Sequence, residues 1–154
     1  MIKVGIIGGS GYTGGELIRI LLNHPNTTID FVFSTTRAGK KITTAHPDLL
    51  GVTDLVFTGK VNKDVDVVFL CLGHGNSTSF LKENEAFVYG LPELKKEEIK
   101  KANYIANPGC FATSIQLGLL PLAKAHKLGK PVHINAVTGS TGAGVSLSAT
   151  SHFS

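Results

Sequence analysis

The sequence of 154 residues has only two cysteines, Cys71 and Cys110, and no C-x-x-C pair. That is too few for a disulfide framework, and without paired spacing structural zinc is not expected. No apolar run approaches the roughly 18 residues that a bilayer span requires, so a membrane role is not expected either. The opening stretch Met1-Ile2-Lys3-Val4-Gly5-Ile6-Ile7-Gly8 is too short for a signal sequence and no small-residue cleavage site follows it, which predicts a cytoplasmic protein. Charge is sparse: charged residues make up 17%, and 15 basic against 11 acidic side chains leave a formal +4. Aromatics, at 7%, form no stacking stripe among the scattered lysines, which argues against nucleic-acid binding and for small anionic molecules. Repeats and low-complexity tracts are lacking too. With 42% hydrophobic residues and a length near one domain, the chain can bury a sizeable core. A soluble globular protein is expected, and disorder or collagen-like repetition is excluded.

Glycine is what the sequence has in excess: 18 of 154 residues, well above the roughly 7% of an average protein, and clustered. Residues 2–7 are β-branched aliphatics but for Lys3 and Gly5, and they run into the stretch Gly8 to Gly15 as a buried parallel strand enters a tight loop. Leu17, Ile18, Leu21 and Leu22 then share one helical face until Asn23-His24-Pro25 stops it. A second strand is predicted over 27–33, which closes a β-α-β unit. Residues 54–58 make a weak strand and 65–72 a strong buried one, with the loop Gly73-His74-Gly75-Asn76 at its carboxyl end. A short helix is predicted over 77–84, an extended piece over 85–90, and a solvated helix opening at Leu91-Pro92. Residues 104–106 lead through Asn107-Pro108-Gly109 into Cys110 and an apolar helix that Pro121 should bend or divide and Gly129 could cap. A strand over 132–137 and a small-residue loop, 138–144, follow. The expected class is α/β, a Rossmann-like doubly wound and mainly parallel sheet over 1–106, followed by the start of an α+β catalytic domain over 107–154.

Gly9-Ser10-Gly11-Tyr12-Thr13-Gly14 fits G-x-G-x-x-G between a strand and a helix, the context in which that pattern signals a dinucleotide. The glycines let the backbone reach a pyrophosphate, and the helix-start amides offset its charge. The competing reading is a turn that glycine merely tightens. An NAD site carries an acidic residue at the end of the second strand to accept from the ribose 2′-hydroxyl. Asp30 lies inside that strand, and its end instead offers Ser34, Thr35, Thr36 and Arg37, donors suited to the 2′-phosphate of NADP(H).

Cys110 falls at the predicted first turn of a helix, where backbone amides favour a thiolate nucleophile. Cys71, between Leu70 and Leu72, reads as a buried hydrophobe. Position alone leaves Cys110 open between nucleophile and packing residue. The stretches Gly8-Gly9-Ser10-Gly11-Tyr12-Thr13-Gly14-Gly15-Glu16-Leu17, Phe87-Val88-Tyr89-Gly90-Leu91-Pro92-Glu93-Leu94 and Asn107-Pro108-Gly109-Cys110 together resemble the N-acetyl-γ-glutamyl-phosphate reductase family, over the amino-terminal part of that family. The resemblance implies an NADP-dependent enzyme of arginine biosynthesis. By it, Cys110 attacks an acyl phosphate, phosphate departs, and hydride reduces the thioester to N-acetylglutamate semialdehyde. Asn107 would orient substrate, Gly73 and His74 would lie near the ribose or nicotinamide, and Ser140 to Gly144, with Ser140 and Gly142 as substrate contacts, would let the cofactor approach the reacting centre. A homo-oligomer is expected.

Two departures accompany the resemblance. The family pairs its cysteine with a histidine well downstream of the residues here; His24, His46 and His126 read as surface or loop residues, His133 lies on a strand and His152 at the end. The family also carries another strand between the positions of Asn84 and Glu85. This chain by itself is therefore expected to be inactive. The alternatives are an enzyme like aspartate-semialdehyde dehydrogenase and a non-catalytic dinucleotide-binding fragment.

Overall fold

The computed structural model describes residues 1–72, 87–129, 131–139 and 142. The chain divides into two units, residues 1–80 with 139–154, and residues 81–138.

In the first unit, strand β1 (Ile2–Ile7) runs through the middle of a four-stranded sheet in the order β3-β2-β1-β4. Its neighbours are β2 (Thr27–Phe33) and β4 (Val67–Leu70), and β3 (Phe57–Thr58) lies outside β2. All three pairings are parallel. A central parallel strand is covered on both faces, which is why Val4, Ile6 and Ile7 are buried. Helix α1 (Tyr12–Leu22) returns the chain from β1 to β2 and buries Ile18 and Leu21. These two pack with Val4, Ile6, Val32, Ile42, Leu49 and Phe57 into the core. The β1–β2 register shifts between Val4 and Gly5; the ring of Phe31 takes the space a Cβ on Gly5 would need. Between β2 and β3 the chain makes two short 3-10 turns, Ile42–Thr44 and Pro47–Leu49, which bury Ile42 and Leu49.

In the second unit, β5 (Val88–Tyr89) pairs in parallel with β6 (Ile105–Ala106). Helix α2 (Pro92–Ile99) joins them and opens with proline in its first turn, where the missing N–H costs no helical bond. Helix α3 (Cys110–Lys124) follows Gly109. It is tied to the preceding elements by Gln116 Nε2 donating to the Tyr89 hydroxyl at 2.6 Å and Lys124 Nζ donating to the Glu93 carbonyl at 3.3 Å.

The fold class read from the sequence holds, and the bounds of β1 and β2 agree with it. Several local expectations need correction. The strand predicted over 65–72 is shorter and not buried: Val67, Val68 and Phe69 are each more than a third exposed, because β4 has a partner on one side only among the described residues. The strand over 54–58 shrinks to Phe57–Thr58, with Val56 bridging Lys41. Pro121 does not divide α3; it stands in the last turn of a helix that runs on to Lys124, and what it costs there is one hydrogen bond to, and a clash with, the carbonyl four residues back in the preceding turn. The helix is capped at Ala125, not Gly129. Residues 132–137 form no ladder among the described residues. The helix predicted over 77–84 lies outside them.

Since Ile18 is fully enclosed between helix and sheet, Ile18→Ala should destabilise by about 2–5 kcal/mol, read as a lower urea midpoint. Ile20→Ala on the solvent side of the same helix, where Ile20 is 63% exposed, should cost less than about 1 kcal/mol.

Candidate functional site

The glycine loop leaves β1 through Gly8, whose φ of +84° is one that side-chain-bearing residues rarely adopt. The amides of Gly8 and Gly9 donate to the Phe33 carbonyl at 3.2 and 3.3 Å, which ties the loop to the end of β2. At Gly9 the side chain of Val32 occupies the place of a Cβ. At Gly14 a Cβ would lie 2.6 Å from the Gly8 carbonyl oxygen and from the Gly9 Cα. The start of α1 thus rests directly on the loop backbone, with no room for a side chain between them. Gly11 is the N-cap, where a Cβ would make only an ordinary contact with the Gly8 carbonyl oxygen at 3.8 Å; no side chain caps the helix and no acidic residue stands in its first turn. Helix-start amides left uncapped, with positive potential and a cradle of bare backbone, fit an anionic group such as a pyrophosphate. Tyr12 and Thr13 are exposed and Ser10 is half-buried.

Next to the loop is the carboxyl end of β2. Ser34 is buried, its amide donates to the Thr58 carbonyl at 3.0 Å, and its hydroxyl reaches the Ser10 hydroxyl at 3.4 Å. Thr35 and Thr36 are exposed. Arg37 is half-buried, and its Nη1 donates to the Thr44 carbonyl at 3.1 Å, so one nitrogen is anchored and the rest of the guanidinium fork is left for an anion. Asp30 receives the Asn62 side-chain amide at 2.8 Å. It is engaged on the strand, away from the position of a ribose-binding acid.

His46 is the residue that sequence reasoning missed. Read there as a surface or loop histidine, it is buried in the structure, with Nε2 2.7 Å from the Gly9 carbonyl. The loop carrying it folds back over α1, a long-range event that no local pattern announces. One signal was available: Gly15 lies one residue past the dinucleotide pattern, inside a helix where glycine is unfavourable by about 1 kcal/mol, and a Cβ there would strike the His46 ring at 2.5 Å.

In the second unit Cys110 is exposed and is the first residue of α3. Gly109 caps it in an extended conformation, no side chain caps the helix and no acid stands in its first turn. The Thr113 hydroxyl donates to the Gly109 carbonyl at 3.0 Å, which fixes the turn beneath the thiol. Asn107 is exposed, and its amide leans on the Pro108 carbonyl at 3.4 Å. Cys71, by contrast, is half-buried on the end of β4, and burial pushes its thiol pKa up. It suits packing rather than attack. A groove of about 520 Å³ runs beside α3 between Phe111, Ile115 and Leu119 and the segment 132–137; Cys110 does not line it. Gly142 is described, with its amide donating to the Gly139 carbonyl at 3.1 Å, while Gly73, His74, Ser140 and His152 lie outside the described residues. His24, His126 and His133 are exposed, and His133 sits on no strand.

Residues 3–86 match the family described as "Semialdehyde dehydrogenase, NAD binding domain". The chain belongs to the semialdehyde dehydrogenase family. Residues 110–154 match the same family's dimerisation domain. Among curated relatives, the N-acetyl-gamma-glutamyl-phosphate reductase of Flavobacterium johnsoniae is 62% identical over the whole of this chain and 55% of its own. That of Christiangramia forsetii is 57% identical over 99% of this chain and 54% of its own. The chain thus spans about half the length of the curated relatives it matches. A solved structure of Candida albicans aspartate semialdehyde dehydrogenase with NADP superposes with a TM-score of 0.61 at 19% identity, over 83% of this chain and 48% of that one, which supports the shared fold. No helix among the described residues is long and apolar enough to cross a membrane.

The two glycines of the cradle should separate on substitution. Gly14→Ala, which forces α1 off the loop, should cost about 1–3 kcal/mol, whereas Gly11→Ala, which makes no close contact, should cost less than about 1 kcal/mol. Thermal unfolding of the two variants measures the difference.

Proposed function

We propose that this chain is the amino-terminal part of an NADPH-dependent N-acetyl-γ-glutamyl-phosphate reductase of arginine biosynthesis, cytoplasmic and homo-oligomeric. The observation that carries the reading is an exposed thiol in Asn107-Pro108-Gly109-Cys110 at the uncapped start of α3, in a chain 62% identical to a curated enzyme of that name. Cofactor binding falls to Gly9, Ser10, Gly11, Tyr12, Thr13 and Gly14 at the pyrophosphate, and to Ser34, Thr35 and Arg37 at the 2′-phosphate. Gly73 and His74 are assigned to its ribose or nicotinamide side. Asn107, Ser140 and Gly142 are assigned to substrate. We divide the protein at residue 106, with the dinucleotide-binding part before it and the start of the catalytic domain after it.

The sulfur of Cys110 attacks the acyl carbon of the acyl phosphate, the carbon–oxygen bond to phosphate breaks, and inorganic phosphate leaves with that electron pair. The first-turn amides of α3 then face the negative charge that gathers on the carbonyl oxygen. When bound, the dinucleotide supplies the hydride that reduces the resulting thioester to aldehyde and frees the thiolate. Splitting the reaction in this way replaces one difficult reduction with two easier steps. The leading alternative, an enzyme like aspartate-semialdehyde dehydrogenase that reduces aspartyl phosphate to the semialdehyde, has the same chemistry and differs only in the acyl phosphate accepted.

Assays on the full-length protein test the reading. Cys110→Ser should lower turnover of N-acetylglutamyl phosphate by at least about a thousandfold and leave NADPH binding intact. Activity retained in that variant, or found only with aspartyl phosphate in the wild type, would remove the assignment. Arg37→Asp should weaken NADPH binding at least about tenfold more than NADH binding, since it deletes a charge-assisted contact to the 2′-phosphate alone. Equal losses for the two would contradict NADP preference.

A further inference from the structure

We propose that His46 is a positioning residue for the dinucleotide loop: it holds the Gly9–Ser10 peptide so that the Ser10 N–H is presented to the pyrophosphate. The inference rests on the reading of the loop as a dinucleotide site and assigns a role to a side chain that has no part in the chemistry.

The geometry defines what His46 does. A carbonyl oxygen can only accept, so Nε2 carries the proton and donates to the Gly9 carbonyl at 2.7 Å. That ring tautomer is fixed by the partner. Because a trans peptide is planar, with C=O and N–H pointing opposite ways, holding the Gly9 carbonyl toward His46 turns the Ser10 N–H to the other side of the loop, and that N–H has no partner among the described residues. The peptide is constrained at its other points too. The Gly9 amide is bonded to the Phe33 carbonyl, and Val32 lies where a side chain on Gly9 would be. His46 supplies the remaining restraint.

The imidazole is itself held in place. It lies against Gly15, where a Cβ would come within 2.5 Å of Cε1 and 2.7 Å of Nδ1. Its backbone amide donates to the Ile42 carbonyl and its carbonyl accepts from the Leu49 amide, so it sits between two turns that each bury a core residue. The following residue but one, Asp48, is clamped to α1 by both oxygens, receiving Arg19 Nε and Nη2 at 2.7 Å each. That hydrogen bond holds the Asp48 carboxyl below its ordinary range. The same segment also supplies the Thr44 carbonyl that anchors Arg37. One loop, 37–49, therefore braces both phosphate-binding regions, but through different atoms: His46 for the glycine loop and Thr44 for Arg37. Those two connections can be told apart by experiment.

The test uses the full-length protein and two ligands, NADPH and adenosine 2′-monophosphate; the second carries the 2′-phosphate and no pyrophosphate. His46→Leu keeps the ring's volume and loses the donor, while His46→Gln keeps a donor nitrogen at about the same reach. Dissociation constants are measured by titration, with thermal unfolding to establish that each variant folds. The expected result is a tenfold or greater weakening of NADPH in His46→Leu, adenosine 2′-monophosphate changed less than threefold, and most of the NADPH affinity restored in His46→Gln. Unchanged NADPH affinity in His46→Leu overturns the role, and so does an equal loss of both ligands, which marks a general collapse of the loop. Should His46→Leu not fold, His46→Asn, whose shorter side chain draws its amide back from the Gly9 carbonyl, takes its place: NADPH binding tenfold or more weaker than in His46→Gln supports the role, and equal binding in the two overturns it. A wild-type protein that binds no NADPH overturns the dinucleotide reading itself, an outcome distinct from a wild type that binds and a His46 variant that binds equally well.

Discussion

The direct contact of helix α1 with the backbone of its own entry loop governs the dinucleotide-binding half of this chain. At Gly14 the helix comes so close to the Gly8 carbonyl that a single methyl group would lie 2.6 Å from it. Such a contact gains little from burial, since glycine brings no side chain. Its effect is to bring the first amides of the helix to the carboxyl edge of the sheet, where strands β1 and β2 both end. Helix-start amides act only within about one turn, so moving the helix out by the thickness of a side chain would leave a similar fold with a much weaker anion site. The core residues beneath, Ile18, Val32 and Phe57 among them, hold the helix down on that contact.

What the sequence made legible followed from short-range physics. The bounds of β1 and β2, the first helix, the proline-led α2 and the cysteine at the head of α3 are all set by local propensity, periodicity and capping, and they emerged where expected. The failures share a different cause. A strand such as 132–137 needs a partner before it is a strand, and β4 needs partners on both sides before its valines are buried. Apolar sequence alone cannot say whether those partners are there. His46 belongs with these failures: its burial depends on residues 37–49 folding over α1, a matter of tertiary contact. Gly15 was the local trace of that contact, a glycine the phosphate argument did not require.

The two helix starts meet the same electrostatic problem in different surroundings. At α1 the loop is built into the sheet, its amides tied to Phe33 and its carbonyl held by His46, and these bonds are in place with no ligand bound. Preorganised donors are the ones that hold an anion strongly, because no reorientation is left to carry out. At α3 the thiol stands exposed on a helix none of whose residues is buried. The nucleophile we propose there has to be reached by substrate and release product, so exposure at that atom is compatible with the proposed task, whereas exposure of Phe111, Leu117 and Leu122 along the same helix is not something that chemistry asks for.

The choice between the two nicotinamide dinucleotides turns on one end of one strand. An acidic residue there would accept from a ribose hydroxyl and repel a 2′-phosphate. The acid that β2 does carry, Asp30, lies three residues before the strand's last residue and is already bonded to Asn62, so it can serve neither purpose. What remains at the edge is the exposed pair Thr35 and Thr36 and the braced guanidinium of Arg37. Anchoring one nitrogen on the Thr44 carbonyl lowers the rotamer freedom that a free arginine would lose on capturing a phosphate. The same bond that looks like a surface detail therefore bears on selectivity. Under the proposed assignment it sets a positive charge against the extra phosphate of NADP, where NAD carries only a hydroxyl.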